Sequence, residues 1–415
     1  MRYTIFASLL SLLILMACQA EQPTGSTIKD KSLERGAWRG LLALNDSLEL
    51  PFELAYDGQS WEIINGEERI LLQVDSLGPD SMRWTLPVFG TYFNIKQIGP
   101  KSLKGEWVNS QKEDYRLSFR AEGGQAFRFG PKTAAQSSLA KKWAVQFSPQ
   151  DSANSYPAVA LFELDPQTSI LKASFMTETG DYRYLAGEFK QERLQLSAFD
   201  GAHAFLFRAQ RQGDGSLWGQ FYSGKHWSTY WRAQPNPKAQ LRPMDSLSFL
   251  KEGYEKISFS FPNSQGDSLS LEDERFEEKV VIVQIMGSWC PNCMDESRLL
   301  EEYYRRYRKE GLEVIALSYE LPKDMDNFKQ IEKRLRTDLG ISYPMVLAGP
   351  ADKKAAAKSL PMLNHILSFP TAIIIDRQGK VRKIHTGFNG PGTGDYYEEY
   401  REELAQLIEQ LLVEQ

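Results

Sequence analysis

Two cysteines three positions apart, placed after an apolar run, constrain the fold of this chain more than any other feature. The run Val280–Met286 is short, β-branched and almost continuously apolar, which is typical of a buried strand. Residues 291–309 have a helical pattern and begin with Pro291, which suits a first helical turn because it has no N–H to leave unpaired. The pattern predicts a strand-to-helix turn, with Cys290 at the helix N-terminus and Cys293 inside the helix.

This placement predicts different chemistry for the two thiols. Unpaired backbone N–H groups and the helix dipole stabilise an anion at a helix N-terminus, so Cys290 is predicted to be the attacking thiolate. Cys293 is on the same helix face and near enough to close a small disulfide with Cys290. Cys293 is then the resolving thiol that releases a mixed disulfide from Cys290. No cofactor is predicted for this exchange.

Three other roles for the cysteine pair stay open. A zinc site needs two more ligands, and the sequence offers neither a second cysteine pair nor histidines at ligand spacing. A purely structural disulfide would close so small a loop that it would constrain the unfolded chain little. A peroxide-reducing cysteine would favour Thr or Ser three positions upstream, where the chain has Gly287. We therefore predict no metal site.

Strand and helix patterns alternate through the rest of residues 250–415, which we predict to be one domain. Strands are predicted at 312–319, 343–347, 371–375 and 381–386, and helices at 324–339 and 395–413. Alternating elements with one late hairpin predict an α/β domain with a mixed sheet covered on both faces.

The region 36–237 has the pattern of antiparallel β structure. Aromatic residues alternate with polar ones, turn residues interrupt them, and no long helical period occurs. Three segments of its first half are echoed in order in its second half. The segments are 89–93, 102–107 and 119–121, echoed at 199–205, 216–221 and 231–233. The echo predicts a duplication, with repeats at about 36–121 and 141–235 that form two barrels or sandwiches, or one larger barrel.

Two polar segments are predicted to connect these parts. Residues 122–139 lie between the repeats and are expected to be a connector. Prolines at 235, 237 and 243 favour a linker before the α/β domain, which we assign to residues 238–249.

The N-terminus has the pattern of a targeting signal. Arg2 precedes an apolar run at 5–16, which is shorter than the roughly 20 residues of a membrane-spanning helix and suits a signal peptide. The run ends in Leu-Met-Ala-Cys at Cys18, which resembles the lipobox of bacterial lipoproteins. We expect a signal peptide at 1–17, a lipidated Cys18 that holds the protein at a membrane, and a polar tether at 18–35. A secretory signal with an accidental cysteine is the alternative.

Charge argues against one class of partner. Lys and Arg total 49 and Asp and Glu total 54, for a formal net charge of -5. Because the chain has no basic field to hold a phosphate backbone, no nucleic-acid partner is predicted.

The C-terminal motifs together resemble a known family. Trp289 before the Cys-x-x-Cys pair, with Phe369 and Pro370 before a later strand, resembles the thioredoxin superfamily. Glu296, three positions after the second cysteine, resembles the TlpA-like envelope branch. The β half is less specifically similar to the N-terminal regions of envelope lipoproteins that end in such domains. The resemblance implies a periplasm-facing thiol-disulfide oxidoreductase, commonly a reductase.

The resemblance also implies roles for single residues. Pro370 is expected to be a cis-proline that faces the disulfide and offers backbone groups to an extended substrate, with a trans proline as the alternative. Trp289 is expected to be a partly exposed lid, and the loop at 387–394 a wall of the substrate groove, with core packing and an ordinary loop as alternatives. The predicted substrate-binding residues are Trp289, Pro291, Phe369, Pro370, Gly387 and Phe388.

Glu296 is the third predicted catalytic residue, beside the two cysteines. The buried acid that thioredoxin carries on the strand before the motif would fall at Gln284, which cannot take a proton from Cys293. Glu296, one helical turn beyond Cys293, is the substitute as general base. The alternative is an acid that only complements the helix dipole, worth about 0.3–1 kcal/mol.

These features predict a membrane-anchored thiol-disulfide oxidoreductase, with a reductase favoured. Expected partners are envelope proteins with disulfides and an upstream thiol protein that donates electrons. We expect a lipid-anchored, periplasm-facing location, and Gln19 after the cysteine resembles outer-membrane rather than inner-membrane sorting. Two alternatives remain. One is a β-barrel lipoprotein that binds a lipid or glycan and has a regulatory redox domain. The other is a copper(I) metallochaperone in which His365 or His385 assists the cysteines.

Overall fold

The structure, a computed structural model, describes residues 32–131, 137–321 and 324–414. The predicted signal peptide at 1–17, Cys18 and most of the predicted tether lie outside these residues and stay predictions. Within the described residues, no helix has the length and apolar character needed to cross a membrane. The predicted fold class is confirmed, because antiparallel β structure is followed by a mixed α/β sheet.

The first half of the β region is a nine-stranded antiparallel sheet. Its strands are β1 (Gly36–Asn45), β2 (Leu48–Tyr56), β3 (Trp61–Asn65), β4 (Glu68–Leu71), β5 (Gln73–Gly78), β6 (Ser81–Thr85), β7 (Tyr92–Gly99), β8 (Ser102–Val108) and β9 (Arg116–Gly123). Consecutive strands pair except β4 with β5, and β1 also pairs with β9, so the two edge strands are β4 and β5. This order is that of an up-and-down barrel left open between β4 and β5.

The second half is a nine-stranded antiparallel sheet with a closed order. Its strands are β10 (Lys142–Phe147), β11 (Tyr156–Leu164), β12 (Leu171–Thr177), β13 (Gly180–Asp181), β14 (Leu185–Lys190), β15 (Arg193–Phe199), β16 (Ala204–Arg211), β17 (Leu217–Ser223) and β18 (Trp227–Pro235). Strand β10 pairs with both β11 and β18, and β11 pairs with β12, which closes the ring.

The two sheets share a topology, as the internal echo predicts. In each, the first strand pairs with the last. The echoed glycines Gly105 and Gly219 lie on β8 and β17, where the neighbouring strand passes close by. A Cβ would lie 1.9 Å from the Asn94 carbonyl oxygen at Gly105, and 2.1 Å from the Arg208 carbonyl oxygen at Gly219. Close strand packing therefore explains why both halves have glycine here. The predicted region boundaries stay predictions.

Aromatic side chains fill the interior of the second sheet. Phe175 stacks on Phe207 with ring centroids 4.5 Å apart, and Phe207 stacks on Phe221 at 4.3 Å. Phe147 and Trp231 are buried beside them. Aromatic packing therefore fills the middle of this sheet, and the ligand-binding alternative stays untested.

The C-terminal part is built on a five-stranded mixed sheet in the order β23-β22-β21-β24-β25. A short pair of strands precedes it, β19 (Ser260–Pro262) and β20 (Ser268–Ser270). The sheet strands are β21 (Val280–Met286), β22 (Leu312–Glu320), β23 (Met345–Pro350), β24 (Thr371–Ile375) and β25 (Val381–Thr386). The helices are α1 (Pro291–Tyr307), α2 (Met325–Leu339), α3 (Lys353–Ser359) and α4 (Asp395–Val413). Strands β21 to β23 are parallel, while β24 and β25 pair antiparallel.

Most of the predicted elements of this domain are confirmed. Strand β21 and helix α4 have the predicted bounds, and α1 ends at Tyr307, two residues early, before a 3-10 turn. The strand predicted at 343–347 begins later, at Met345, because Pro344 has no N–H for the sheet. Helix α3 was not predicted, since seven residues are too few for a helical period to show.

The predicted connector 122–139 includes a buried charge. Arg128 is buried, and its guanidinium donates to the Ile64 carbonyl oxygen at 2.6 Å and to the Ser197 carbonyl oxygen at 3.1 Å. These bonds join the first sheet to the second. Arg128 thus pairs with backbone groups that only the folded sheets bring together, and the assignment of 122–139 as a polar connector stays a prediction.

The predicted linker 238–249 is packed rather than free. Ala239 is buried against the second sheet, and Asp245 lies 2.7 Å from Nδ1 of His385 on β25. In the first half of the β region, the Val88 amide, in the loop between β6 and β7, donates to the carboxylate of Asp338 in α2 at 2.7 Å. The β region and the α/β domain thus form one unit.

Candidate active site

The two cysteines lie where the sequence predicts them, at the turn between β21 and α1. Cys290 is the N-cap residue of α1, and its Sγ accepts a hydrogen bond from the Cys293 amide at 3.3 Å. Pro291 takes the first helical position. Cys290 is 7% exposed, Cys293 is fully buried, and both are free thiols. Cys290 is therefore the thiol nearer to an incoming substrate. The hydrogen bond that its Sγ accepts from the Cys293 amide favours a thiolate.

The segment before Pro370 lies beside Cys290. The Phe369–Pro370 peptide bond is cis, as the resemblance implies, and Cys290 Sγ donates to the Phe369 carbonyl oxygen at 3.4 Å. The Trp289 ring packs edge-on against the Phe369 ring with centroids 5.4 Å apart, and its Nε1 donates to the Tyr319 carbonyl oxygen. Trp289 is partly exposed, as expected of a lid, and that role stays a prediction.

A fully hydrogen-bonded glutamine lies beneath Cys293. Gln284 of β21 donates from Nε2 to Glu296 Oε2 at 2.8 Å and to the Cys293 carbonyl oxygen at 3.3 Å. Its Oε1 accepts from the hydroxyls of Ser297 and Tyr343 at 3.0 and 3.2 Å. Because every polar atom of this amide has a partner, Gln284 orients Glu296 and the first turn of α1.

Glu296 is a buried acid with a raised pKa. Its side chain is fully buried, and its Oε1 has no hydrogen-bond partner in the described part of the chain. Burial raises the pKa of Glu296 to about 8, although the bond from Gln284 opposes the rise. Burial also raises the pKa of Cys293 well above its usual value, and the neighbouring Cys290 and Glu296 add to that shift. Burial of this kind favours a proton-transfer role over a surface acid that only complements the dipole.

A second buried acid fixes the turn before the cysteines. Glu320, the last residue of β22, accepts from the Ser288 amide at 2.9 Å and the Ser288 hydroxyl at 2.7 Å. The Ser318 hydroxyl also donates to it, and burial raises the pKa of Glu320. The sequence analysis missed this residue, although a charged residue at the end of an apolar strand is an available signal.

The loop after β25 lies against the cysteine turn. The Gly387 amide donates to the Pro370 carbonyl oxygen at 2.9 Å, and the carbonyl oxygen of the buried Phe388 accepts from Asn292 Nδ2 at 3.2 Å. Gly387 has a φ of 82°, in the left-handed region that favours glycine. The structure thus brings together Trp289, Pro291, Phe369, Pro370, Gly387 and Phe388 around Cys290. Their role in substrate binding stays a prediction.

Comparisons with known proteins place this region in a family. The AhpC/TSA family model matches residues 253–384, which include both cysteines and Pro370. The thiol-disulfide oxidoreductase ResA of Halalkalibacterium halodurans is 28% identical over 142 residues, or 34% of this chain and 71% of that protein. ResA of Geobacillus thermodenitrificans is 31% identical over 129 residues, or 31% of this chain and 66% of that protein.

The C-terminal domain belongs to the thioredoxin superfamily. Its relatives share the name thiol-disulfide oxidoreductase, and the thioredoxin-like domain is an enzyme of this class. Among solved structures, a DsbF homologue from Corynebacterium diphtheriae is 22% identical, with a TM-score of 0.30 over 42% of this chain and 96% of that chain.

A turn of the β region also reaches the cysteine turn of the thioredoxin-like domain. The β12–β13 turn, residues 177–183, bonds to the segment before Pro370 and to the residue two positions after Cys290. The Thr179 carbonyl oxygen accepts from the Ser368 hydroxyl at 2.6 Å, and Asp181 Oδ2 accepts from Asn292 Nδ2 at 3.3 Å. Sequence reasoning missed this contact because nothing local in either segment shows which surfaces meet.

Arg183, at the end of this turn, ties three parts of the fold together. Its buried guanidinium donates to Asp295 of α1 at 2.8 and 3.2 Å. It also donates to Asp200 of the second sheet at 2.9 Å and to Glu68 of the first sheet at 2.7 Å. Burial alone would lower the pKa of Arg183, but the carboxylates raise it. Asp295 lies two positions after Cys293, so this cluster anchors the β region to the redox helix.

A lysine at the start of α3 interacts with the attacking thiol. Burial lowers the pKa of Lys353, and the negative charge of the Cys290 thiolate opposes that shift. A cation within electrostatic range favours the thiolate form of a cysteine. Lys353 was not singled out from the sequence, because α3 was not predicted.

Proposed function

We propose that this chain is a lipid-anchored thiol-disulfide oxidoreductase of the cell envelope that reduces disulfides in other envelope proteins. The observation that carries the proposal is the arrangement of the two thiols. Cys290 caps α1 beside the Phe369 carbonyl oxygen, while Cys293 is buried next to the buried acid Glu296.

The first step forms a mixed disulfide. The Cys290 thiolate attacks one sulfur of the substrate disulfide, the substrate S–S bond breaks, and the leaving thiolate takes a proton from solvent. The Cys293 amide and Lys353 support the thiolate before the attack. The backbone around Pro370 is in place to align an extended substrate.

The second step releases the substrate. The Cys293 thiol passes its proton to the Glu296 carboxylate, and the resulting thiolate attacks the Cys290 sulfur. The bond between Cys290 and the substrate sulfur breaks, Cys290 and Cys293 form a disulfide, and the second substrate sulfur leaves as a thiolate that takes a proton from solvent. Two electrons have moved from the enzyme dithiol to the substrate. An upstream thiol protein then returns two electrons, so no cofactor is needed.

Turnover by cysteine variants tests the chemistry. The mature chain, from position 18 and with Cys18→Ser to keep it in solution, should reduce insulin with dithiothreitol as donor. Cys290→Ser should abolish turnover. Cys293→Ser should accumulate a mixed disulfide at Cys290, visible on non-reducing gels and by mass spectrometry. Turnover that survives Cys290→Ser would contradict the proposal.

The reduction potential of the cysteine pair tests the direction of electron flow. A value near the thioredoxin figure of about -270 mV supports a reductase, whereas a value near about -120 mV indicates an oxidant. The mature chain equilibrated with glutathione or dithiothreitol buffers is suited to the measurement.

The membrane anchor rests on the sequence alone and needs its own test. Wild-type protein expressed with its signal should stay in the membrane fraction after a high-salt wash, and Cys18→Ser should move it to the soluble fraction. Retention of the Cys18→Ser variant in the membrane would contradict lipidation at Cys18. Separating inner from outer membranes tests the outer-membrane preference.

A further inference from the structure

The β12–β13 turn forms one side of the redox site. Its Thr179 carbonyl oxygen accepts from Ser368, and its Asp181 Oδ2 accepts from Asn292 and also from the Gly390 amide at 2.5 Å. A Cβ on Gly387 would lie only 2.9 Å from the Thr179 carbonyl carbon, so the two backbones are in close contact. The turn therefore touches the cysteine turn, the segment before Pro370 and the loop after β25.

Thr179 is the exposed residue of this turn. Its side chain is exposed, while its carbonyl oxygen is bonded to Ser368. Its Oγ1 lies 3.2 Å from Oγ1 of Thr177, which limits its freedom. Ser368 is two positions before Pro370, so a polypeptide lying along this segment would pass Thr179.

The turn is fixed in place and does not resemble a lid. Arg183, at its end, is buried among Asp295, Asp200 and Glu68, and these acids come from three different elements. Movement of the turn away from the redox site would separate the buried Arg183 guanidinium from Asp295, which is unfavourable because a buried charge then loses a partner. A substrate would therefore meet Thr179 in the conformation that the structure shows.

We propose that the β12–β13 turn is a permanent wall of the substrate site and that Thr179 contacts the polypeptide that carries the substrate disulfide. This inference rests on the proposed function and deepens it, because the β region then takes part in choosing substrates. The substrate class is a disulfide in a polypeptide segment long enough to extend from Cys290 to Thr179. A small disulfide would react at Cys290 without reaching the turn.

Charged substitutions at Thr179 test whether the β12–β13 turn contacts the substrate polypeptide. Two synthetic peptide disulfides would differ only in Lys or Glu residues beside the cysteines, and hydroxyethyl disulfide would serve as the small substrate. We expect Thr179→Glu to raise the ratio of kcat/KM for the basic peptide over the acidic one by about fivefold, through KM. Thr179→Lys should lower this ratio by a similar factor, and the kcat/KM of each variant for hydroxyethyl disulfide is the reference for its two peptide values.

Thr168 provides the matched control. It is an exposed threonine in the turn before β12, at the opposite end of that strand from Thr179. Thr168→Glu and Thr168→Lys should leave the peptide ratio at the wild-type value. Any of three results would overturn the proposal that the turn is a wall of the substrate site. These are an unchanged ratio in the Thr179 variants, an equal shift of the ratio in the Thr168 variants, and an equal loss of kcat/KM with all three substrates. Wild-type protein that reduces none of the three substrates would overturn the proposed function itself.

Discussion

Arg183 of the β region lies 2.8 Å from the carboxylate of Asp295 in the redox helix. Asp295 is two positions after Cys293, and both side chains of the pair are almost fully buried. The pair therefore joins the N-terminal β region to the catalytic element of the thioredoxin-like domain. It makes the active site a product of both halves of the chain.

Removal of this cation should destabilise the whole protein. Arg183→Met removes the cation that Asp295, Asp200 and Glu68 share, and loss of one member of a buried pair costs about 3–5 kcal/mol. We expect a fall of this size in the free energy of unfolding in urea. Arg242→Met is the matched control, because Arg242 pairs with Glu178 but is mostly exposed. If the urea concentration at the unfolding midpoint is the same for Arg183→Met and Arg242→Met, the expectation is contradicted.

Glu296 should lower the stability of the protein as the pH rises. The pKa of Glu296 is about 8 in the folded protein against a usual 4.5, so the folded state holds one more proton than the unfolded state between these values. Stability is therefore lost as the pH rises from about 4.5 to 8. Glu296→Gln removes this loss, and its advantage over wild type should grow by about 3–5 kcal/mol between pH 4.5 and pH 8.

Urea unfolding at both pH values, with the cysteines reduced, measures this effect. Glu302→Gln, at an exposed position of α1, is the control, and its stability relative to wild type should not change between the two pH values. An advantage of Glu296→Gln that does not depend on pH would mean that Glu296 titrates near its usual value.

The same substitution should slow catalysis. If Glu296 accepts the Cys293 proton, the resolving step in wild type should speed up as the pH rises toward 8, because the carboxylate form becomes more abundant. Glu296→Gln should lower this rate by about 10²–10⁴-fold, the usual contribution of a general base. Stopped-flow release of thiol from a pre-formed mixed disulfide, from pH 6 to 9, follows the step directly. Equal rates in the two proteins would leave Glu296 a structural role only.

Lys353 should speed the reaction of Cys290 through its charge. Lys353→Gln removes a cation that interacts with the Cys290 thiolate. We expect alkylation of Cys290 by iodoacetamide at pH 7 to slow by about two- to fivefold. The difference should shrink in 1 M salt, which screens exposed charges. Lys354→Gln, the next position of α3, keeps Lys353 and should react like wild type.

The pattern around the cysteines was readable because it is local. A β-branched apolar run, a proline at the first helical position and a cysteine just before it predict β21, α1 and the cap at Cys290 from neighbouring residues alone. The helix at Asp395–Val413 follows from its own period. The position of Glu296 one turn beyond Cys293 was also visible, but its burial was not, because burial depends on what β21 and the rest of the sheet place around it.

Contacts between distant segments were decided by the tertiary structure. Asp181 and Asn292 are 111 positions apart, and Arg128 lies in a segment predicted from its composition only as a polar connector. Glu320 reaches the redox site only because β22 ends beside it, and the charge of Lys353 acts on Cys290 only because of where the fold places the start of α3. The sequence by itself determined the redox motif, its helix and the repeated β pattern, since local period and residue type specify these. Only the packing of two sheets against the thioredoxin-like domain placed the β12–β13 turn beside Cys290, because which surfaces meet depends on shape and charge across the whole chain.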